Sequence, residues 1–444
     1  MKPFRKLAAA SMAAIHPSSR AIVASGARVT ALAIAAKLFT IVREVTLAYR
    51  YGTGISIDAF NMAFTIASWL PVLLVSTAAT GLVPLLVSSV RDQRSHQHMV
   101  AELNAVIAML AIGLCALAAV TAPWASALMT GATTSTTHSL TQAMIVRLAP
   151  VAGLGLVAGY LATRLQAQQR YLYTIGEAFP PIGISLGAIA PLAWSDENAL
   201  ITGLLTGTIV QIAFLAFLLL RTDEGIGGFS LDFSSPHWPR IRKAIGTLAI
   251  GAGILWITVP VEQAYAARLG AGAVASLNYA NRLIGMGTSI AIVIIARALL
   301  PTFSRAIADG DVALARQQAW QWAVVCGVLG VVCAALGWVA SGPAIRLLLQ
   351  RGAFGGHDAD VVADLVRLGI MQLPFFFAST AIVQWLAASG RYKSVSIIAG
   401  MAVIVKITLL QLLIPVLGLY ALMLSTVGMY AFSLVAQVSQ IRSK

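Results

Sequence analysis

Charged side chains are scarce in this chain. They make up 10% of its 444 residues, against about 25% in soluble domains, whereas 59% of the residues are hydrophobic. This excludes an ordinary soluble protein. Repeated apolar runs of about 20 residues are typical of membrane-spanning helices rather than of a membrane barrel. The composition therefore predicts an all-α polytopic membrane protein.

Ligand-forming patterns are also missing. The three cysteines, Cys115, Cys326 and Cys333, all fall in apolar runs, so no disulfide framework or metal spacing is present. The histidines form no ligand pattern, and His96 and His98 are expected to be solvated in a polar loop. No glycine-rich lysine motif for nucleotide phosphates occurs. We therefore expect no cofactor, no metal and no ATP hydrolysis.

Acidic residues are rare in the predicted outward loops. The longest of these, near 341–360, holds only Asp358 and Asp360. A membrane glycosyltransferase or glycan polymerase would normally carry a long catalytic loop or clustered acids on this side. We therefore expect a protein that is not an enzyme, with such an enzyme as the weakest alternative.

Hydropathy predicts about twelve spans, near 22–48, 58–90, 101–127, 142–163, 174–193, 199–220, 244–265, 273–303, 317–340, 361–387, 394–414 and 417–440. One set of loops and ends holds nineteen basic residues, and the opposite set holds four. The net charge of +14 therefore reflects the positive-inside rule rather than nucleic-acid binding. Both termini are predicted to be cytoplasmic.

The chain is predicted to have four parts. They are an N-terminal cytoplasmic or interfacial segment at 1–21, a six-helix lobe at 22–220, a cytoplasmic linker at 221–243 and a second six-helix lobe at 244–444. A cleaved signal is the alternative for the first segment, but its apolar run is short and weakly hydrophobic.

An internal repeat supports this division. Glu44-x5-Arg50-x-Gly52-x-Gly54 recurs as Glu262-x5-Arg268-x-Gly270-x-Gly272, 218 residues later (262 − 44). Further matches follow at nearly the same shift. An even number of spans in each copy gives both copies the same orientation, so two parallel lobes should surround a central pathway.

Seven basic residues lie within the predicted spans: Lys37, Arg43, Arg147, Arg282, Arg297, Arg367 and Lys406. Each would cost about 3 kcal/mol if it faced lipid. They should instead face water, partner groups or a substrate, although those near span ends can extend to the interface. A basic interior suits an anionic substrate, because guanidinium groups bind phosphate oxygens in pairs. A cation exporter would instead need carboxylates.

The two repeated acids are predicted to behave differently. Glu44 has Arg43 beside it and is expected to pair locally, whereas the corresponding neighbour of Glu262 is Val261. Glu262 is therefore a candidate for changing partner or protonation during gating, with Arg282 as one approaching base. The alternative is that both acids only pair with arginines of their own lobe. Further gating or coupling candidates are Lys406, Arg147 and Arg367.

Six segments form a recognisable set: VREV (42–45), YGTGISIDAFNMAF (51–64), GLVP (81–84), SLNYANRL (276–283), LLPTFSR (299–305) and RGAF (351–354). In this order they resemble the MviN/MurJ family of lipid II flippases, within the superfamily of multidrug, oligosaccharidyl-lipid and polysaccharide exporters. The resemblance implies two six-helix lobes around a basic cavity. It also implies movement of an undecaprenyl-pyrophosphate-linked sugar between leaflets by alternating access.

The same resemblance implies a substrate-binding cavity made by Lys37, Arg43, Glu44, Asp58, Arg282 and Asn281. Lys37 stands where the family usually has arginine, and Asn281 replaces an acid of the family's motif. The expected partners are a polyprenyl-pyrophosphate-linked saccharide, membrane lipids and proteins of cell-envelope biosynthesis, in the bacterial cytoplasmic membrane. A cation-coupled multidrug or small-molecule exporter of the same superfamily is the main alternative.

Overall fold

The computed structural model describes residues 35–89, 92–131, 135–189, 196–242 and 256–442, together with positions 246 and 253. The predicted N-terminal segment at 1–21 lies outside these residues. The described chain is built mainly of helices, as an apolar bilayer requires of a backbone whose polar groups must be satisfied internally. Most described connections are short turns, and the linker after residue 220 is the longest of them.

The helices of the first half are α1 (35–51), α2 (Ile55–Ser89), α3 (Gln93–Thr130), α4 (Ser135–Ala167), the short α5 (Tyr173–Gly176), α6 (Phe179–Ile189) and α7 (Asp196–Leu220). Those of the second half are α8 (Thr258–Ala267), α9 (Ala273–Ala308), α10 (Val312–Leu349), α11 (Gly356–Ile370), α12 (Leu373–Ala388), α13 (Tyr392–Leu417) and α14 (Tyr420–Arg442).

In the described part of the chain, eight helices are long and apolar enough to cross a membrane, or nine if α11 and α12 form one bent span. The predicted spans at 22–48, 174–193 and 244–265 each run partly into residues outside the description. The all-α polytopic class is confirmed, and the count of twelve stays a prediction.

Helix boundaries recur between the two halves. The second helix of each half, α2 or α9, begins at Ile55 or Ala273, 218 residues apart (273 − 55), which is the shift of the sequence motif. The starts of α3 and α10 are 219 residues apart (312 − 93). The order of the long helices is therefore the same in both halves.

One helix pair departs from this equivalence. The fourth span of the first half is the continuous α4, whereas its counterpart breaks at Met371 and Gln372 and bends by 40° between α11 and α12. The sequence predicted one span over 361–387. Pro374 lies one residue into α12 and lacks an N–H, which favours the start of a new helix at this place.

Two apolar clusters form the interior. The larger includes Leu47, Phe60, Tyr279 and Phe354, so it runs through both halves of the chain. The smaller lies in the first half and includes Leu165 of α4 and Ile241 of the linker. Many large apolar side chains remain outside both clusters and face outward, as expected of helices surrounded by lipid.

Helices α6 and α7 cross at very close range. Gly183 and Gly187 of α6 face Gly203 and Gly207 of α7, and a Cβ added at Gly183 would lie 2.2 Å from the carbonyl oxygen of Gly203. Each helix thus carries the small-x-x-x-small spacing that lets membrane helices approach backbone to backbone.

Candidate functional site

A group of four polar residues joins the two halves inside the apolar core. Glu44 of α1 is only 2% exposed and contacts both Arg43 and Arg282 of α9. The Arg43 Nε donates to Glu44 Oε1 at 2.8 Å, and the Arg282 Nη2 donates to Asn61 Oδ1 at 3.2 Å. We call Arg43, Glu44, Asn61 and Arg282 the central cluster.

The central cluster has an excess of positive charge. It contains two guanidinium groups and one carboxylate. One carboxylate cannot satisfy ten N–H donors, because each guanidinium carries five. The Arg43 and Arg282 side chains keep 12% and 19% of their surface exposed. Both can therefore still offer paired donors to an anion that reaches them.

Next to this cluster, Asp58 of α2 caps a helix of the other half. Its two carboxylate oxygens accept from the backbone N–H groups of Gly272 and Ala275, at 2.6 and 2.7 Å. These N–H groups belong to the start of α9, where the unpaired donors of a helix favour a negative group. The first half thus supplies the cap for a helix of the second.

Further contacts join the halves beside this cap. Tyr279 Oη donates to the carbonyl of Gly52 at 3.1 Å, and Thr53 Oγ1 donates to Asp358 Oδ1 at 2.6 Å. The Ala353 N–H donates to the carbonyl of Tyr49 at 2.8 Å. We call this set of contacts, made by the turns near 52–54, 270–275 and 350–358, the closed side.

The repeated glycines explain why these turns fit together. Gly52 has a φ of +56°, and a Cβ there would lie 2.5 Å from the carbonyl oxygen of Ala353. Gly272 has a φ of +85°, and a Cβ there would lie 2.6 Å from the carbonyl oxygen of Thr53. Both glycines are needed for their backbone angle and for the close approach of the halves.

A cavity of about 290 Å³ lies within the second half. It is lined by α8, α9, α12, α14 and the residue Gln372 between α11 and α12. Asn281 lines this cavity rather than the central cluster. Glu262 also lines it and forms an ion pair with Lys406 of α13.

The other predicted site residues lie apart from the central cluster. Lys37 is exposed on α1 and interacts electrostatically with Glu177. Arg147 is exposed and its Nη1 donates to Asn198 Oδ1 at 2.8 Å. Arg367 pairs with Asp364, one helical turn away, at 2.9 Å. Among the described residues, no group of three or more histidine, cysteine or acidic side chains could hold a metal ion.

The family model described as "Lipid II flippase MurJ" matches residues 47–444. The chain belongs to the MurJ lipid II flippase family. The resemblance stated from the motifs is thereby confirmed. The matched span begins after Lys37, Arg43 and Glu44, so the argument for these three residues rests on their own contacts and motif.

Relatives and solved structures agree with the MurJ family. A probable lipid II flippase MurJ of Rhizobium meliloti (strain 1021) is 25% identical over 414 residues, covering 89% of this chain and 76% of the relative. A Burkholderia cenocepacia relative named lipid II flippase MurJ is 24% identical and covers 76% of this chain and 67% of its own. A solved lipid II flippase MurJ in an inward closed conformation matches with a TM-score of 0.78 at 15% identity, covering 94% of this chain and 87% of that one.

A transporter of the MATE family shares the fold. Its inward-facing conformation gives a TM-score of 0.75 and its outward-facing conformation 0.60, each at 14% identity. The inward-facing match covers 92% of this chain and 94% of that one. At this identity the likeness concerns the fold alone.

The structure gives both repeated acids partners that the sequence did not indicate. Glu44 pairs with Arg43 as expected, but it also bridges to Arg282 of the other half. Glu262 pairs with Lys406 in this conformation, and its proposed change of partner during gating stays a prediction. The reason is packing: α8 and α13 bring their charges together within the second half, while Arg282 points toward the first.

Sequence reasoning missed a second polar site, where the linker docks on the first half. Glu102 is fully buried and accepts from the backbone N–H groups of Ser234 and Ser235, at 2.7 and 3.1 Å, and from Trp238 Nε1 at 2.6 Å. The described part of the linker, 221–242, is thus fixed against α3. Glu102 stood at the edge of a predicted span, so hydropathy gave no reason to single it out.

Arg164 belongs to the same docking site, although the sequence placed it in a loop. It is 1% exposed and donates to the carbonyls of Ile226 and Gly225, at 2.6 and 2.9 Å.

His96 is also buried, contrary to expectation, and its Nε2 lies 3.3 Å from Glu224 Oε1. This contact with His96 holds the pKa of Glu224 below its ordinary value against the opposing effect of burial.

Proposed function

We propose that this chain moves a polyprenyl-pyrophosphate-linked saccharide, such as lipid II, across the bacterial cytoplasmic membrane without changing it chemically. Membership of the MurJ family supports this activity. The substrate would carry two phosphates on a lipid tail, so its anionic part must pass through the apolar layer. A positively charged site between the two halves is what such a passage needs.

The observation that carries the proposal is the pairing of Arg43 and Arg282 around Glu44. The two arginines come from different halves and share a single buried carboxylate. A pyrophosphate offers more oxygen acceptors than one carboxylate and matches the planar donors of both guanidinium groups. It can therefore replace Glu44 as the counter-anion. Lys37, exposed on the same α1, is proposed as a further cation for the substrate.

Transport also needs a change of shape, and the closed side is its proposed gate. The four basic residues of the basic-poor side are Arg50, Arg268, Arg346 and Arg351. Three of them, Arg50, Arg268 and Arg351, lie in the turns of the closed side or within two residues of them. The positive-inside rule then puts the closed side outside and both termini with the linker in the cytoplasm. The conformation would be closed outward, so the substrate would enter from the cytoplasmic leaflet by alternating access.

The cation-coupled exporter is the second candidate, because the MATE likeness extends over the whole fold. Such a protein needs carboxylates free to hold a cation. Here the acid of the second-half cavity, Glu262, is already neutralised by the ammonium of Lys406. Glu44 is likewise occupied by two arginines. The charges therefore favour an anionic substrate.

Complementation tests the proposal directly. A bacterial strain depleted of its own lipid II flippase should grow when it expresses this chain. Arg43→Ala and Arg282→Ala should abolish growth while the protein still inserts, because each removes one of the two cations that receive the pyrophosphate. Arg346→Ala is the matched control, since Arg346 pairs with Asp360 at an exposed position.

Two results would count against it. If cells grow with either alanine variant, the central cluster is not needed for transport. Absence of growth with the normally expressed chain would point to another lipid-linked glycan as the substrate, and in vitro flipping of that glycan would then be the readout.

A further inference from the structure

The second-half cavity differs in chemistry from the central cluster. Apart from Glu262, its polar lining is made of amides and hydroxyls, among them Gln263, Asn278, Asn281, Gln372 and Thr426. Amides and hydroxyls can both donate and accept hydrogen bonds. At about 290 Å³ the cavity is just below the range for small-molecule sites, about 300 to 1,000 Å³.

Part of this hydrogen-bonding capacity is unused. Gln263 is 4% exposed, and its Nε2 donates to Asn278 Oδ1 at 3.2 Å. The Oε1 of the same side chain is buried without a hydrogen-bond partner in the described structure. Gln372 also lines the cavity with only 7% of its surface exposed. Buried polar atoms are normally paired, so Gln263 keeps an unused acceptor on a side chain that lines the cavity.

The cavity carries no net charge. Its single acid, Glu262, is paired with Lys406, whose side chain is 6% exposed. Two aromatic rings, Phe376 and Tyr430, also line it and meet edge to face with their centres 5.1 Å apart. A neutral lining that combines two-way hydrogen bonding with aromatic surface suits a neutral, hydroxyl-rich ligand. It offers little to a phosphate or to a cationic drug.

The cavity and the central cluster lie side by side on α9. Asn278, Asn281 and Gly285 line the cavity, while Arg282, within one turn of all three, reaches the cluster on the adjacent face. A ligand with an anionic group at Arg282 would therefore have its next chemical group close to the α9 residues that line the cavity.

We propose that this cavity binds the sugar next to the pyrophosphate of the transported lipid. The proposal rests on the proposed function and deepens it. Arg43 and Arg282 hold the pyrophosphate, which every such lipid shares. The amides of the second half form hydrogen bonds with the saccharide, so they determine which glycan is transported.

The experiment compares two soluble probes on the purified full chain. Farnesyl pyrophosphate carries the anionic group without a sugar, and a lipid II analogue with the same C15 tail carries both. The wild type should bind the analogue about tenfold tighter, because a site built for hydrogen bonds discriminates against a ligand that lacks them. The double variant Asn281→Ala/Gln372→Ala should lose this preference and keep its affinity for farnesyl pyrophosphate.

Gln411→Ala is the matched control. It removes the same amide from the same half, but Gln411 lies on α13 outside the cavity and contacts Tyr265. Thr426→Val provides a second test that keeps the side-chain shape and removes only the hydroxyl. It should lower affinity for the analogue alone.

The outcomes separate this inference from the proposed function. Equal affinity of the wild type for both probes would overturn the sugar site while leaving pyrophosphate binding intact. Equal weakening of both probes in the double variant and in Thr426→Val would also overturn it. Failure of the wild type to bind either probe would refute the proposed function itself.

Discussion

At the scale of single residues, the central feature is a carboxylate shared between halves. Glu44 is buried, and its two partners arrive from α1 and α9. Buried ion pairs add little net stability, but removing one member leaves the others uncompensated. Glu44 therefore keeps two arginines, side by side in an apolar interior, from repelling each other.

Glu44→Gln should destabilise the protein by about 3 kcal/mol, the lower end of the range for breaking a buried pair, because its arginines keep some contact with solvent. Thermal unfolding in detergent measures this loss. Asp364→Asn is the control, since its pair with Arg367 is partly exposed and worth less than about 1 kcal/mol. Equal losses in the two variants would show that Glu44 has no special structural role.

The cost of charge in a bilayer was enough to single out Arg43, Glu44, Arg282 and Lys406 from the sequence. It could not assign their partners, because pairing depends on which helices pack together. Asn61 escaped notice because a neutral amide carries no such penalty. Glu102 was not singled out because the linker is what buries it. The polar sequence of the linker gave no sign that it would cover a helix.

At the scale of elements, hydropathy located the helices well where each was a continuous apolar run. The span predicted at 58–90 is α2, Ile55–Ser89. Hydropathy did not show the bend of 40° between α11 and α12, which lies within the single apolar run predicted at 361–387. Hydropathy averaged over a window does not detect a break in a helix when the residues at the break are as apolar as their neighbours. Hydropathy also gave no sign that the linker docks on the first half, because this docking depends on hydrogen bonds to Glu102 and Arg164.

Glu102→Gln should loosen the linker. The variant replaces a charged acceptor of three N–H groups, and each charge-assisted hydrogen bond contributes about 1.5 to 3 kcal/mol. Trypsin should then cut the linker at Arg240 or Arg242 at least about tenfold faster in inside-out membrane vesicles. Asp232→Asn, on the exposed part of the same linker, should leave the rate unchanged.

The same digestion tests the orientation of the linker. In intact cells with a permeabilised outer layer, neither variant should be cut, because the linker is proposed to face the cytoplasm. Cleavage from the outside would overturn the topology. Unchanged cleavage of Glu102→Gln in inside-out vesicles would show that the linker is held by other contacts.

At the scale of the whole molecule, the two halves share one helix order, yet they meet asymmetrically. The first half supplies Asp58, which caps α9 of the second half. At the position 218 residues later the second half has Ser276, which cannot supply a carboxylate. A repeat alone would predict two equivalent contacts. Among the described residues, the closed side is instead held by the Asp58 cap and by hydrogen bonds from Tyr279 to Gly52, from Thr53 to Asp358 and from Ala353 to Tyr49.

Asp58→Asn should therefore shift the molecule away from this closed conformation. A neutral amide loses most of the attraction to the N–H groups of Gly272 and Ala275, about 1 to 2 kcal/mol for a helix cap. A pair of cysteines at Thr53 and Asp358, in a background without Cys115, Cys326 and Cys333, reports closure by the rate of oxidative crosslinking. The rate should fall about tenfold in Asp58→Asn.

Asp311→Asn is the matched control for this experiment. Asp311 caps α10 through the Leu314 N–H at 2.8 Å, so it is also a helix cap, but both groups belong to the second half. Loss of this cap weakens one helix without favouring separation of the halves, so crosslinking should keep its rate. Equal slowing in Asp58→Asn and Asp311→Asn would mean that general destabilisation is being measured. An unchanged rate in Asp58→Asn would show that the charge of Asp58 does not stabilise the closed side. The contact of Tyr279 and the close packing at Gly52 and Gly272 would then hold it.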